Sequence, residues 1–191
     1  MPNIFLIGYM GAGKTTVGKK IARQLNRPFV DTDRFIETRY HRKISEIFAE
    51  KGEEFFRETE HNILQEIAQF ENTVISTGGG APCFFDNMEL MNRSGITVYL
   101  KVSVAGLVQR LTAYGQDRPL IKNKTRDELE RFIALHLEER ESWYHRAAII
   151  FPTENLWTSS EIDATTENLM KRINEIETGC RNKHYTSLRN D

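Results

Sequence analysis

The residues Gly8-Tyr9-Met10-Gly11-Ala12-Gly13-Lys14-Thr15 match the pattern GxxxxGK[ST] in full. Such a loop, following a strand and opening a helix, wraps its backbone N–H groups around a phosphate at the positive end of the helix dipole. Its glycines allow the close backbone approach that side chains would block. Lys14 can then reach the β- and γ-phosphates as a mobile point charge, and the Thr15 hydroxyl can ligate Mg²⁺. Gly11, Ala12, Gly13, Lys14, Thr15 and Thr16 are the expected contacts to a nucleotide.

Three further features could do chemistry beside that loop. In "FVDTDRF", Asp31 sits at the carboxyl end of the second expected strand, where ligands bind in open α/β sheets, and Asp33 follows two residues on. Alone, this spacing fits a helix N-cap with a solvated carboxylate equally well. Next to a phosphate loop, one carboxylate can hold Mg²⁺ through water while the other accepts a proton from an attacking hydroxyl. "STGGGAP" places Gly78, Gly79 and Gly80 directly after another strand. A flexible turn is the plainer reading, yet amides at that sheet edge could cradle a polar substrate. Arg57, Arg118 and Arg140 complete the inventory, and each alone reads as a solvated surface charge.

Short apolar runs alternating with longer amphipathic stretches would position these residues, the pattern of a parallel sheet covered by helices. The expected strands are Ile4 to Ile7, Pro28 to Val30, Val74 to Ser76, Ile96 to Leu100 and Ala147 to Phe151, each a continuous apolar run with both faces buried. Val17, Ile21 and Leu25 form one helical stripe, and Ile63, Ile67 and Phe70 form another in a helix that begins near Arg57. A third helix carries Leu129, Phe132, Ile133 and Leu137, and a last one runs from about Ser160 to Ile176. Residues 33–52 do not fit a minimal crossover and read as an inserted helical subdomain. The polar stretch "AYGQDRPLIKNKT", between two helices, is a candidate lid. Periodicity stops after Gly179, so the tail 178–191 is expected to be disordered.

With 26 Lys+Arg against 27 Asp+Glu, the net charge of the 191-residue chain is −1, which excludes a global electrostatic pull toward nucleic acid or an anionic membrane. Cys83 and Cys180, with no secretory leader, argue for a reducing compartment, and Cys83 reads as an inert thiol. No apolar run approaches the ~18 residues of a membrane span, which leads to the expectation of a cytoplasmic protein. The five histidines show no metal-ligand spacing. Trp143, Tyr144, Phe55 and Phe56 read as packing residues.

Taken together, "GYMGAGKTTVGKKIARQL", "FVDTD", "GEEFFRETE", "STGGGAP", "DRPL" and "EERESWYHRAA" resemble the shikimate kinase family in order and spacing, from about Gly8 to Ala148. The resemblance implies an α/β fold of the P-loop NTPase type: a three-layer α/β/α domain with a five-stranded parallel sheet, similar to nucleoside monophosphate kinases. It implies one domain over 1–177, with a substrate-binding subdomain at 33–60 and a lid at 112–125. The implied reaction is phosphorylation of the shikimate 3-hydroxyl by ATP with Mg²⁺, in the pathway to chorismate. By the same resemblance, Asp33 contacts the substrate hydroxyls and is the general base, and Arg57 and Arg140 bind the substrate carboxylate. Gly79, within the turn Gly78–Gly80, meets the ring hydroxyls. Arg118 meets the ATP phosphates and serves in catalysis with Lys14, and Asp31 holds Mg²⁺ through water alongside Thr15.

The chemistry of the ligands agrees with these roles. A small carboxylate with several hydroxyls calls for a guanidinium fork and polar groups for the alcohols. A carboxylate with an ordinary pKa of about 4 is a weak base. Asp33 is therefore expected mainly to orient the hydroxyl and to take its proton late in a loose transition state. The chain departs from the family pattern after the last strand, where "FPTENLW" offers no basic residue for adenine, and Arg110 is the candidate for stacking there. A related kinase acting on gluconate or a nucleoside monophosphate is the alternative enzyme, and a nucleotide-dependent switch is the alternative class. The expected partners are ATP and shikimate only, with no nucleic acid and no membrane, and the expected state is a monomer.

Overall fold

The structure, a computed structural model, describes residues 1–114, 121 and 123–187, with side chains through residue 178. Five strands, β1 (Asn3–Ile7), β2 (Phe29–Asp31), β3 (Val74–Ser76), β4 (Gly95–Lys101) and β5 (Ile149–Pro152), form one parallel sheet in the order β2-β3-β1-β4-β5. Ile4, Phe5, Leu6 and Ile7 of the central strand are each 0% exposed. That is why this strand reads as a continuous apolar run: both faces are covered.

Helix α1 (Lys14–Leu25) packs on β2 and β3 and against α7 (Ser159–Ser187), which also meets β5. Helices α2 (Thr32–Tyr40) and α3 (Ile44–Ala68) pack together, α4 (Asn87–Ser94) joins α3 to β4, and α5 (Val104–Tyr114) packs on α6 (Arg126–Tyr144). Right-handed crossovers from this strand order put α1 on one face and α3, α4, α5 and α6 on the other. The order reverses at β1: the chain leaves it toward β2 and later returns past it toward β4. The carboxyl ends of β1, β2 and β3 therefore open onto a common crevice, the switch point where ligands bind in such sheets.

Several expected boundaries move for physical reasons. β2 begins one residue later than expected because Pro28 has no N–H and joins the ladder only through its carbonyl, which accepts from Val74 N at 2.9 Å. The strand thus ends on Asp31 itself. β5 starts at Ile149 because Ala147 N closes a turn on Tyr144 O and Ala148 N donates to Thr97 Oγ1 at 2.8 Å. Arg57 does not begin a helix. α3 starts at Ile44 and is interrupted at Gly52 (φ 81°, ψ 175°), so Arg57 lies in the second turn of the segment after that kink.

Helix α4 has no counterpart in the sequence reading; it is short, and only Met88 and Met91 supply its buried apolar face. Phe56 is buried, but its neighbour Phe55 is 37% exposed, since consecutive helical side chains point in different directions. α7 continues to Ser187, beyond the point where the apolar periodicity stops. Loss of apolar periodicity does not end a helix that is already nucleated, because each added residue makes one hydrogen bond at little cost. Residues 188–191 lie outside the described residues, as do 115–120 and 122 of the expected lid at 112–125, with Arg118 among them.

Candidate active site

The loop between β1 and α1 wraps around its own lysine. Gly13 is the N-cap of α1 at φ 96°, a conformation that favours glycine, and a Cβ there would also push aside the Leu156 side chain, 2.5 Å away at Cδ1. Lys14 Nζ donates to Gly8 O at 2.7 Å and Tyr9 O at 3.0 Å, holding its charge at the centre of the loop. Arg110 Nη1 donates to Gly11 O and Ala12 O, both at 3.2 Å, and Nη2 donates to Thr153 O. This arginine, 7% exposed, ties the phosphate loop to the end of β5. Burial lowers its pKa from the ordinary guanidinium value.

Thr15 Oγ1 donates to Asp31 Oδ2 at 2.8 Å. Asp31 also caps α2, its Oδ1 accepting from Arg34 N at 3.3 Å. The N-cap and ligand readings of Asp31 are thus compatible, one oxygen serving each. A hydroxyl and a carboxylate are hard oxygen donors that suit Mg²⁺, which keeps several waters and takes few protein ligands. Among the described residues there is no cluster of three His, Cys, Asp or Glu residues suited to a metal.

These groups share one cleft of about 280 Å³. Gly11, Gly13, Lys14, Thr15 and Thr16 line it together with Asp31, Asp33 and Gly79. Arg110, Tyr114, Leu156 and Trp157 also border it, and the Tyr114 and Trp157 rings lie 6.0 Å apart. Arg57 and Arg140 do not line this cleft but stand around the glycine turn. A Cβ on Gly80 would lie 2.7 Å from Arg57 Nη1, and one on Gly78 would lie 2.4 Å from Glu60 Oε1 and 2.9 Å from Asp33 Oδ1. The turn is therefore a thin wall with carboxylates and a guanidinium pressed against its Cα atoms. Any side chain there would displace them.

The sequence reading did not single out Glu60, which is 2% exposed and meets Arg57 Nη1 at 2.8 Å. Arg57 reaches in the other direction to Glu53, with Nη2 at 3.0 Å and Nε at 3.2 Å, and its guanidinium lies 4.2 Å from the Phe84 ring centre. Burial pushes the Glu60 carboxyl up to about 7, with Arg57 opposing it, the Asp33 charge adding to it and Arg140 also lowering it. The signal was present in "RETE": a carboxylate three residues after an arginine shares its helix face. The thiol of Cys83, pushed up to about 11 chiefly by burial, is the inert group expected.

The raised Glu60 pKa has a consequence for stability. The native protein holds a proton on Glu60 at pH values where the unfolded chain has released it. The stabilisation is complete below the ordinary carboxylate pKa of 4.5 and is lost as pH rises through about 7. Between pH 5 and 8 the wild-type melting temperature should fall more steeply than that of Glu60→Gln, the slopes differing by roughly 5 °C over the range. Parallel curves would show that Glu60 titrates normally.

A family model described as shikimate kinase matches residues 10–174. The chain belongs to the shikimate kinase family. It is 54% identical over 171 residues to a shikimate kinase of Parabacteroides distasonis, covering 90% of this chain and 99% of that one. The crystal structure of shikimate kinase from Bacteroides thetaiotaomicron superposes with a TM-score of 0.88 at 50% identity, over 91% of this chain and 98% of the other. Shikimate kinase from Acinetobacter baumannii in complex with shikimate gives 0.78 at 33% identity, over 92% and 94%. As a member of the shikimate kinase family, the chain is an ATP-dependent kinase with the phosphate loop, five-stranded sheet and switch-point crevice described above.

Proposed function

We propose that this chain transfers the γ-phosphoryl group of ATP to the 3-hydroxyl of shikimate, giving shikimate 3-phosphate and ADP on the route to aromatic amino acids. The observation that carries this reading is the wall of Gly78–Gly80. It has the phosphate loop and Asp33 on the cleft side, and Arg57 pressed against Gly80. A nucleotide phosphate and an acidic polyol could meet across it.

In this reading the amides of Gly11 to Thr16 and the Lys14 ammonium hold the phosphates, with Arg118 joining them from the lid. Tyr114, Leu156 and Trp157 offer the apolar end of the cleft to adenine beside Arg110. Thr15 and Asp31 would hold Mg²⁺, Asp31 through water, and the ion would offset phosphate charge. Asp33 orients the acceptor hydroxyl and takes its proton, Gly79 meets the ring hydroxyls, and Arg57 and Arg140 bind the carboxylate. Exclusion of water as the lid closes would protect ATP from hydrolysis. A single domain over 1–177 with a substrate subdomain at 33–60 suffices for this, acting as a monomer in the cytoplasm. Among the described residues no helix is long and apolar enough to cross a membrane.

The test is ADP formation from Mg-ATP with shikimate, gluconate and nucleoside monophosphates in parallel. Stimulation by shikimate alone is expected. Stimulation by gluconate or a nucleotide instead would transfer the assignment to a related kinase, and none at all would favour a nucleotide switch.

A further inference from the structure

Tyr144 closes α6 and is 0% exposed, as a packing residue should be, yet its hydroxyl is not spent on packing. It donates to Gly79 O at 2.5 Å and interacts with the guanidinium of Arg140, one helical turn earlier on the same face. Burial pushes the phenol far above its ordinary pKa, so the hydroxyl keeps its proton and remains a donor to Gly79 throughout the working pH range. Its ring lies 5.0 Å from that of Tyr99, which fixes its direction.

Both partners of this hydroxyl are proposed substrate contacts. Gly79 borders the cleft, and a Cβ on it would lie 3.3 Å from Met10 N and 3.4 Å from Gly8 O, so the turn is also seated on the phosphate loop. Arg140 lies over the Tyr9 ring at 5.8 Å, and Tyr9 OH is 3.2 Å from His136 Nδ1 one turn up the same helix. Gly78 N donates to Thr32 Oγ1 at 3.0 Å, which pins the start of the turn. With that end fixed to α2 and its seat fixed by the phosphate loop, the Gly79 carbonyl is tied to α6 through Tyr144.

We propose that Tyr144 is a positioning residue: its single hydroxyl sets the spacing between the guanidinium that binds the substrate carboxylate and the turn that binds the substrate hydroxyls. A substrate held at both ends is sensitive to that spacing, because a small misplacement between two anchored groups is paid in both contacts. In the proposed reading neither partner is assigned to ATP, so its binding should be spared. The inference rests on the proposed use of Arg140 and Gly79 for shikimate.

Tyr144→Phe removes the hydroxyl and keeps the ring. The expected result is a KM for shikimate raised about 10-fold with KM for ATP unchanged. In an Arg140→Ala background the same substitution should raise KM by a smaller factor, since one of its two routes is already gone. A purely structural tyrosine would lower the melting temperature and affect both substrates alike, or act by the same factor in both backgrounds, and either result overturns the proposal. If Tyr144→Phe does not fold, 3-fluorotyrosine at this position keeps the donor to Gly79 and weakens the acceptor for Arg140. It should raise KM for shikimate alone, and an unchanged KM overturns the proposal. A wild-type enzyme that does not phosphorylate shikimate overturns the functional reading as well, whereas an active wild type with an unaffected variant overturns this inference only.

Discussion

Replacing Asp33 by Asn should cut turnover by about 10²-fold or more while nucleotide still binds. Asparagine keeps the size of the side chain and one oxygen that can accept a hydrogen bond, so the acceptor hydroxyl can still be found and held. What it cannot do is take the proton or stabilise the hydroxyl as charge develops on it. Phosphoryl transfer through a loose transition state asks for little deprotonation early, so the loss should fall mainly on kcat. Asp33 lines the cleft from the first turn of α2 and is not part of the phosphate loop, so affinity for a non-hydrolysable ATP analogue, measured by calorimetry, should be retained. Glu60 provides a second signature. Burial is the main reason its carboxyl is raised, but the Asp33 charge adds to it, so Asp33→Asn should shift the Glu60 titration to lower pH. Near-normal turnover in the variant would show that orientation suffices and that the proton leaves by another path.

That the two carboxylates are coupled was not readable from spacing, whereas much of the rest was. The phosphate loop is local: eight consecutive residues form it, the preceding strand aims it, and α1 starts where its stripe starts. The five strands were legible because a strand buried on both faces must be apolar throughout. Asp31, Asp33 and the glycine turn were legible as strand-end residues once the sheet was assumed parallel. Glu60 and Tyr144 were hidden for a common reason. Each lies on a helix at a position that also suits an ordinary role, a solvated glutamate or a buried aromatic. Only tertiary packing decides that the glutamate is buried beside the Gly78–Gly80 turn and that the phenol meets the Gly79 carbonyl. Arg110 shows the converse. Its type suggests stacking and it borders the cleft, but the structure spends its guanidinium on three loop carbonyls. The α3 kink is not legible in the sequence, because a glycine at the end of an insertion and a single positive-φ glycine joining two helical segments look alike there.

Arg140→Ala should raise KM for shikimate by roughly 30-fold or more with little change in KM for ATP. The size follows from what truncation leaves behind. A carboxylate brought out of water needs its cation, and losing one partner of a desolvated charge pair costs more than the pair was worth. Arg57 cannot make up the loss, because in the structure its Nη1 edge is held by Glu60 and its Nε–Nη2 edge by Glu53. A substrate carboxylate must share Arg57 with two hydrogen-bonded glutamates, whereas Arg140 lies over the Tyr9 ring, beside the Tyr144 hydroxyl, and acts on Glu60 only through its charge. Arg140 is therefore the cation whose removal the substrate should feel most. Arg140→Lys separates charge from shape: it restores a cation but not the planar fork, so recovery of only part of the affinity is expected. Full rescue by lysine would reduce the role of Arg140 to a point charge, and equal rises in KM for shikimate and ATP would remove it from the carboxylate site altogether.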